Sequence, residues 1–160
     1  MGRARLLRKV RGYPMETLKA QKATLAKAGQ VQGARLREAG LRPTRQRLAL
    51  AGLLFSADDR HVTAEELHEE AVSAGIPVSL ATVYNTLHQF TGVGLLRELC
   101  VDGARTYFDT NIGDHHHFYC EEDGALLDID GGSIAVSGVP QPPHGAKLKR
   151  VDVIVRVSRR

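Results

Sequence analysis

Two short helical patterns, each fastened at its start and stopped at its end, constrain this chain more tightly than anything else in it. Thr63 and Glu66 stand three apart as a capping box, in which each side chain satisfies a backbone N–H at the other's position. Ala64, Leu67, Ala71 and Val72 follow as an apolar stripe, and Gly75 supplies the left-handed residue that ends a helix. After a connector at 76–78, Ser79 caps a second helix, whose Leu80, Val83, Leu87 and Phe90 recur at steps of three, four and three. Its other side carries Ala81, Thr82, Tyr84, Asn85 and Thr86, small or hydrogen-bonding groups of the kind a DNA major groove accepts. Residues 95–101 and 106–109, around Asp102-Gly103, read as a hairpin beside the pair. The expectation is a winged helix-turn-helix; spacing alone also permits an ordinary helical hairpin.

Charge favours the first of these. Residues 1–47 carry 13 Lys/Arg against 2 Asp/Glu, and residues 48–160 carry 9 against 16. A basic front attracts phosphate polyanions and an acidic rear repels them, so double-stranded DNA is expected to meet the N-terminal part. Arg42, Arg45 and Arg47 crowd the entrance of a helix that Thr44 caps, with Leu48, Ala51 and Phe55 as its buried stripe. A solvated basic helix is the plain alternative. The longest apolar run, residues 49–55, is far below the roughly 18–20 residues that cross a bilayer, so no membrane role is expected.

The chain divides, on this reading, into a basic N-terminal extension at 1–33, a winged-helix DNA-binding domain at 34–111 and a smaller domain at 112–160. The Arg-rich opening through Tyr13-Pro14 reads either as a transit peptide or as an extension preceding a start at Met15. A helix and then a turn are expected over 15–43, punctuated by Gly40 and Pro43. Beyond Asn111 the texture becomes strand-like: 115–120 and 125–129 joined by Asp123-Gly124, a Gly/Pro-rich loop at 131–145, then a strand at 151–157. In that last strand Val151, Val153, Val155 and Val157 share one face. Three short strands leave an open edge that a second copy of the chain can complete, so a homodimer is expected. The fold class is α+β: an N-terminal winged helix with a small C-terminal α/β dimerisation domain.

Asp114-His115-His116-His117 opens the last segment. On a strand His115 and His117 share one side, while Asp114 and His116 share the other, so the run can serve two sites for a borderline divalent metal or haem iron. His61 and Asp109 stand at the edges of the preceding domain. A metal held by His61 and Asp109 from one side and by His115 and His117 from the other would clamp the hinge, which is the geometry of a sensor. Surface histidines without ligand duty are the alternative. Only two cysteines occur, Cys100 and Cys120, too few for a Cys-four zinc site in one subunit, and a reduced cytoplasmic location is the simple expectation.

AGLRPTRQRLALAGLLF (39–55), HVTAEELHEEA (61–71), VSLATVYNTLHQF (78–90), GLLREL (94–99) and RTYFDTN (105–111) resemble the ferric uptake regulator family over about residues 34–160. GDHHHFYCEEDGALLDI (113–129) and VDVIVRV (151–157) look most like its haem-responsive iron response regulator branch. The resemblance implies a dimeric regulator that reads a palindromic, A·T-rich operator, with Tyr84 on a thymine and Arg42 in the minor groove. It implies an interdomain sensory metal on His61, Asp109, His115 and His117, with Asp128 as a further ligand. The family's common structural zinc is not expected, since Cys120-Glu-Glu-Asp123 lacks the second cysteine. Asp114 and His116 match part of another metal site, whose further carboxylate aligns with Ala135. The branch's Cys-Pro haem motif has no thiolate here at Gly12-Tyr13-Pro14.

The leading expectation is thus a transcription regulator, a repressor, that responds to iron status through haem or a divalent metal (Fe2+, Mn2+ or Zn2+). The alternatives are a plain metal-dependent repressor without haem and a small metalloenzyme. The enzyme reading lacks an HExxH helix, a nucleophile elbow or a phosphate loop.

Overall fold

The computed structural model describes residues 15–101, 103 and 105–159, with side chains from residue 27 onward. The basic opening with Tyr13-Pro14, and Asp102 of the hairpin turn, lie outside the described residues. Helix α1 (Met15–Glu38) leads into α2 (Arg45–Leu54), then strand β1 (His61–Val62), α3 (Ala64–Ser73) and α4 (Leu80–Gly92). Strands β2 (Arg97–Cys100) and β3 (Thr106–Asp109) form the hairpin. A second group, β4 (His115–Cys120), β5 (Leu126–Asp130), a 3-10 turn (Gly131–Ser133) and β6 (Ile154–Val157), completes the described chain.

The caps form as the sequence dictates. Thr44 accepts the Arg47 N–H at 3.3 Å, and Ser79 accepts the Thr82 N–H at 3.1 Å. Thr63 accepts from the Glu66 N–H at 3.2 Å, while Glu66 Oε2 accepts the Thr63 N–H at 2.8 Å. Gly75, at φ +70°, turns the chain out of α3 so that the Ile76 N–H reaches the Ala71 carbonyl at 2.8 Å.

Burial corrects three details of the expected stripes. In α2 the residues that go fully inside are Leu50, Ala51 and Leu54, whereas Leu48 and Phe55 pack at the margin. That helix is apolar on several faces, so its neighbours choose the buried one. Phe55 ends 6.3 Å from the Phe90 ring and under the Arg35 guanidinium at 4.4 Å. Val72 is 58% exposed on α3, because no element among the described residues covers its side of the helix. Thr86 is buried rather than outward, since it lies three residues after Val83 and four before Phe90, on the same inward face. The main core joins Leu36, Leu50, Leu54, Val62, Leu67, Val83, Leu87, Phe90, Leu96 and Phe108. Each such side chain contributes about 1.5–3 kcal/mol by leaving water.

Two three-stranded sheets follow, ordered β1-β3-β2 and β5-β4-β6. The first is antiparallel throughout and adds β1, a two-residue strand too short for alternation to announce. In the second, β4 pairs antiparallel with β5 and parallel with β6. The expected strand at 151–157 is a ladder only over Ile154–Val157, because the Val153 N–H is taken by His116 Nδ1 at 3.3 Å instead of by backbone. A small second core of Leu99, Tyr107, Tyr119 and Leu126 draws residues from both sheets and holds them together. Tyr107 also donates its hydroxyl to the Gly124 carbonyl at 2.9 Å. At φ +70° with that hydroxyl 2.9 Å from where a Cβ would sit, position 124 admits glycine and little else.

Candidate metal centre

The two sheets meet with their ligating side chains facing one another. Across the first, His61 on β1 stands opposite Asp109 on β3; across the second, His117 on β4 stands opposite Asp128 on β5. His115, two residues before His117, shares its face. Five groups, His61, Asp109, His115, His117 and Asp128, thereby bring one donor atom each within 4.8 Å of one another. Of these, Asp128 entered the sequence reading only through family resemblance, because nothing in its spacing distinguishes it.

Donor separations are short. His115 Nε2 lies 2.8 Å from Asp109 Oδ2 and 2.9 Å from His117 Nε2, and His117 Nε2 lies 3.4 Å from Asp109 Oδ2. His61 Nε2 is 3.0 Å from Asp128 Oδ1 and 3.5 Å from Asp109 Oδ2. With bonds of about 2.1 Å, donors around one cation stand roughly 3.0–3.4 Å apart. Most of these pairs fall in or beside that range. Moreover, His61 Nε2 is buried yet has no hydrogen-bond partner among the described residues, despite two carboxylates nearby. Three imidazole nitrogens and two carboxylate oxygens, with Asp109, His115 and His117 buried and Asp128 open to solvent, fit Zn2+, Fe2+ or Mn2+.

Outer contacts orient the donors. The Asn111 N–H occupies Asp109 Oδ1 at 2.8 Å, which turns Oδ2 to the imidazoles, and the Asn111 amide donates to Asp128 Oδ2 at 3.0 Å. His115 Nδ1 faces the Gly113 carbonyl at 2.9 Å. Burial alone would raise the Asp109 carboxyl, but the facing His117 and His61 rings and the Asn111 N–H hold it well below the ordinary carboxylate range. It is therefore ionised at neutral pH. Sequence reasoning missed Asn111 and Arg97 as supports, since neither residue type nor spacing marks them.

Asp114 and His116 point away from this centre. They line a separate cavity of about 550 Å³ with Lys149, Arg150 and Val151, and among the described residues they gather no metal-binding group. A ring whose Nδ1 accepts the Val153 N–H carries its proton on Nε2, the nitrogen a metal would need. Cys100 is exposed and Cys120 buried, both as free thiols. A hydrogen bond to Glu122, burial and a further bond to Asp123 push the Cys120 thiol above its ordinary range.

On the helical side, Ser79, Ala81 and Asn85 are exposed, and Thr82 and Tyr84 half-buried, along one side of α4. The Tyr84 hydroxyl donates to Glu65 Oε1 at 2.6 Å, which raises the tyrosine and lowers the carboxylate from their usual values. Arg42 and Arg45 are exposed. Arg47 instead spends its guanidinium on Gln89 Oε1, at 2.8 and 3.1 Å, and on the Arg42 carbonyl at 2.8 Å, bracing α2 against α4.

A capped helix pair with a three-stranded wing, joined to a small second sheet through a ligand cluster, defines the class of metal-responsive winged-helix regulators. Comparison with known proteins agrees. Residues 38–156 match the ferric uptake regulator family. The ferric uptake regulation protein of Shigella flexneri is 34% identical over 115 residues, covering 71% of this chain and 78% of that protein. The peroxide-responsive repressor of Staphylococcus aureus is 40% identical over 97 residues, covering 60% and 64%. The ferric uptake regulator of Pseudomonas aeruginosa, solved with manganese, superposes with a TM-score of 0.63 at 28% identity over 81% of this chain and 98% of that one. This chain belongs to the ferric uptake regulator family.

Proposed function

We propose that the protein is a dimeric repressor whose grip on an A·T-rich palindromic operator is set by a divalent metal at the five-residue centre. Residues 34–111 serve as the reading head and residues 112–160 as the pairing and sensing domain, in the cytoplasm. The observation that carries this reading is the convergence of His61 and Asp109 from one sheet with His115, His117 and Asp128 from the other. A bound divalent cation would supply the positive charge that two carboxylates and three imidazole lone pairs share.

The chain's own residues then do the rest. His61 and Asp109 belong to the sheet that carries the wing, so locking them against β4 and β5 limits how the reading head can turn. The outward residues of α4, Ser79, Ala81, Thr82, Tyr84 and Asn85, offer base contacts, and Tyr84 packs well on a thymine methyl. Arg42 and Arg45 are placed to meet phosphates or a narrow minor groove, with Arg47 holding their helix to α4. The likeness to a ferric uptake regulation protein and to a regulator solved with manganese supports Fe2+ or Mn2+ as the effector.

The finer reading, an iron response regulator governing iron and haem metabolism genes through haem, rests on the resemblance of residues 113–129 and 151–157. The plain metal reading is favoured by burial: His115 and His117 are 4% and 0% exposed, which leaves a porphyrin plane no open face at those rings. The test is titration of Mn2+, Fe2+, Zn2+ and haem into the protein on operator DNA. A change in affinity with a metal but no Soret band supports the plain regulator, and a Soret band with stoichiometric haem restores the branch reading. No change with any of the four overturns both.

A further inference from the structure

Arg97 is a buried guanidinium that the proposed function does not use. It opens β2, directly across β3 from His61, with Asp109 between them in the register. Its side chain crosses from the wing into the second sheet. There Nη1 lies 3.2 Å from both His115 Nδ1 and the His115 carbonyl, and 3.5 Å from the Gly113 carbonyl. Nη2 pairs with Asp152, which stands two residues before β6. Its Nε is buried with no hydrogen-bond partner among the described residues. One side chain thus touches the wing, a candidate ligand and the approach to the edge strand, and it is not fully satisfied where it sits.

We infer that Arg97 is the positioning residue that transmits the state of the metal centre to the DNA-reading wing, through its contact with His115. This rests on the metal-responsive reading above. The physical reason is a conflict at one nitrogen. His115 Nδ1 faces the Gly113 carbonyl at 2.9 Å and Arg97 Nη1 at 3.2 Å, and it can satisfy only one. Bearing the proton, it donates to Gly113 and opposes the Arg97 N–H. Bare, it accepts from Arg97 and opposes the carbonyl lone pair.

The opposite side of the ring decides between them. With its proton on Nε2, the ring donates to Asp109 Oδ2 at 2.8 Å and accepts from Arg97. When the Nε2 lone pair serves as a ligand, the proton sits on Nδ1, Gly113 takes it, and Arg97 keeps only the two carbonyls and Asp152. The proton changes nitrogen and the net charge does not change. Arg97 is fixed to β2, so this exchange of partners alters the link between the wing and the second sheet.

The experiment compares the dissociation constant for operator DNA with and without saturating Mn2+, in wild type, Arg97→Lys and Asp152→Asn, alongside Mn2+ affinity without DNA. Typical coupling shifts affinity roughly 5–150-fold. In Arg97→Lys the shift should fall at least about threefold, leaving the part that His61 and Asp109 carry directly, while Mn2+ affinity falls by less than the roughly 10–100-fold seen when a ligand's orienting partner is lost. An undiminished shift in a folded Arg97→Lys protein overturns the inference. If that variant does not fold, Asp152→Asn decides: its carboxylate is half-exposed, and the shift should fall there too. An independent arm uses wild type alone, where ring 15N correlations of His115 should move from a bare to a protonated Nδ1 on adding Zn2+. An unchanged pattern in a Zn2+-saturated protein also overturns it. A wild-type protein that binds Mn2+ with no effect on DNA refutes the regulatory reading itself, and the 15N arm still decides the exchange of hydrogen bonds.

Discussion

Full burial ordinarily keeps a carboxyl protonated, yet Asp109 is ionised at the bottom of the centre, because its neighbours stabilise the anion more than burial penalises it. Its folded carboxyl therefore titrates below the unfolded value of about 3.9. As pH falls, the unfolded chain binds that proton first. The stabilisation from Asp109 is complete above about pH 4 and is lost as pH drops through the folded value. Urea denaturation of metal-free protein at pH 5, 4 and 3 should show a steeper loss in wild type than in Asp109→Asn; parallel slopes would contradict the assignment. The same substitution removes a direct ligand, so it should weaken Mn2+ binding by more than the roughly 10–100-fold that outer partners cost.

At the scale of elements, the centre depends on a helix cap. His61 and Val62 form a strand of only two residues, and Thr63 immediately after them closes the capping box of α3. The cap thus holds β1 in register as well as starting the helix. Thr63→Ala should cost about 1 kcal/mol of stability, measured from urea midpoints, and should weaken Mn2+ binding by loosening His61. Thr63→Ser, which keeps the hydroxyl, should retain both properties. A variant destabilised by that amount with unaltered metal affinity would show that β1 is held by its pairing with β3 alone.

For the whole molecule, ligand linkage and polyelectrolyte behaviour give separate checks. A metal that binds only the folded chain adds about 2.7 kcal/mol at a hundredfold excess over its dissociation constant, raising Tm by about 5–10 °C. His115→Ala combined with His117→Ala should abolish that rise and leave a folded protein. DNA affinity should fall steeply with salt as lysines and arginines of the basic front release counterions, and Arg42→Ala should reduce the slope by about one. A flat salt dependence would remove phosphate contact from the account.

Helix ends and strand faces were legible without coordinates because they are local: a hydroxyl three residues before a carboxylate, or a glycine that can adopt positive φ, acts within one turn of chain. The pairing of His115 with His117, and their separation from His116, followed from the two-residue period of a strand. Thr86's inward place also follows from helical spacing, against its polarity, whereas which face of α2 is buried and why Val72 stays outside were decided by neighbours that no periodicity encodes. The same is true of the centre. Asp128, Asn111 and Arg97 matter only because two sheets, joined through Tyr107, Tyr119, Leu99 and Leu126, bring distant stretches of chain within hydrogen-bonding range.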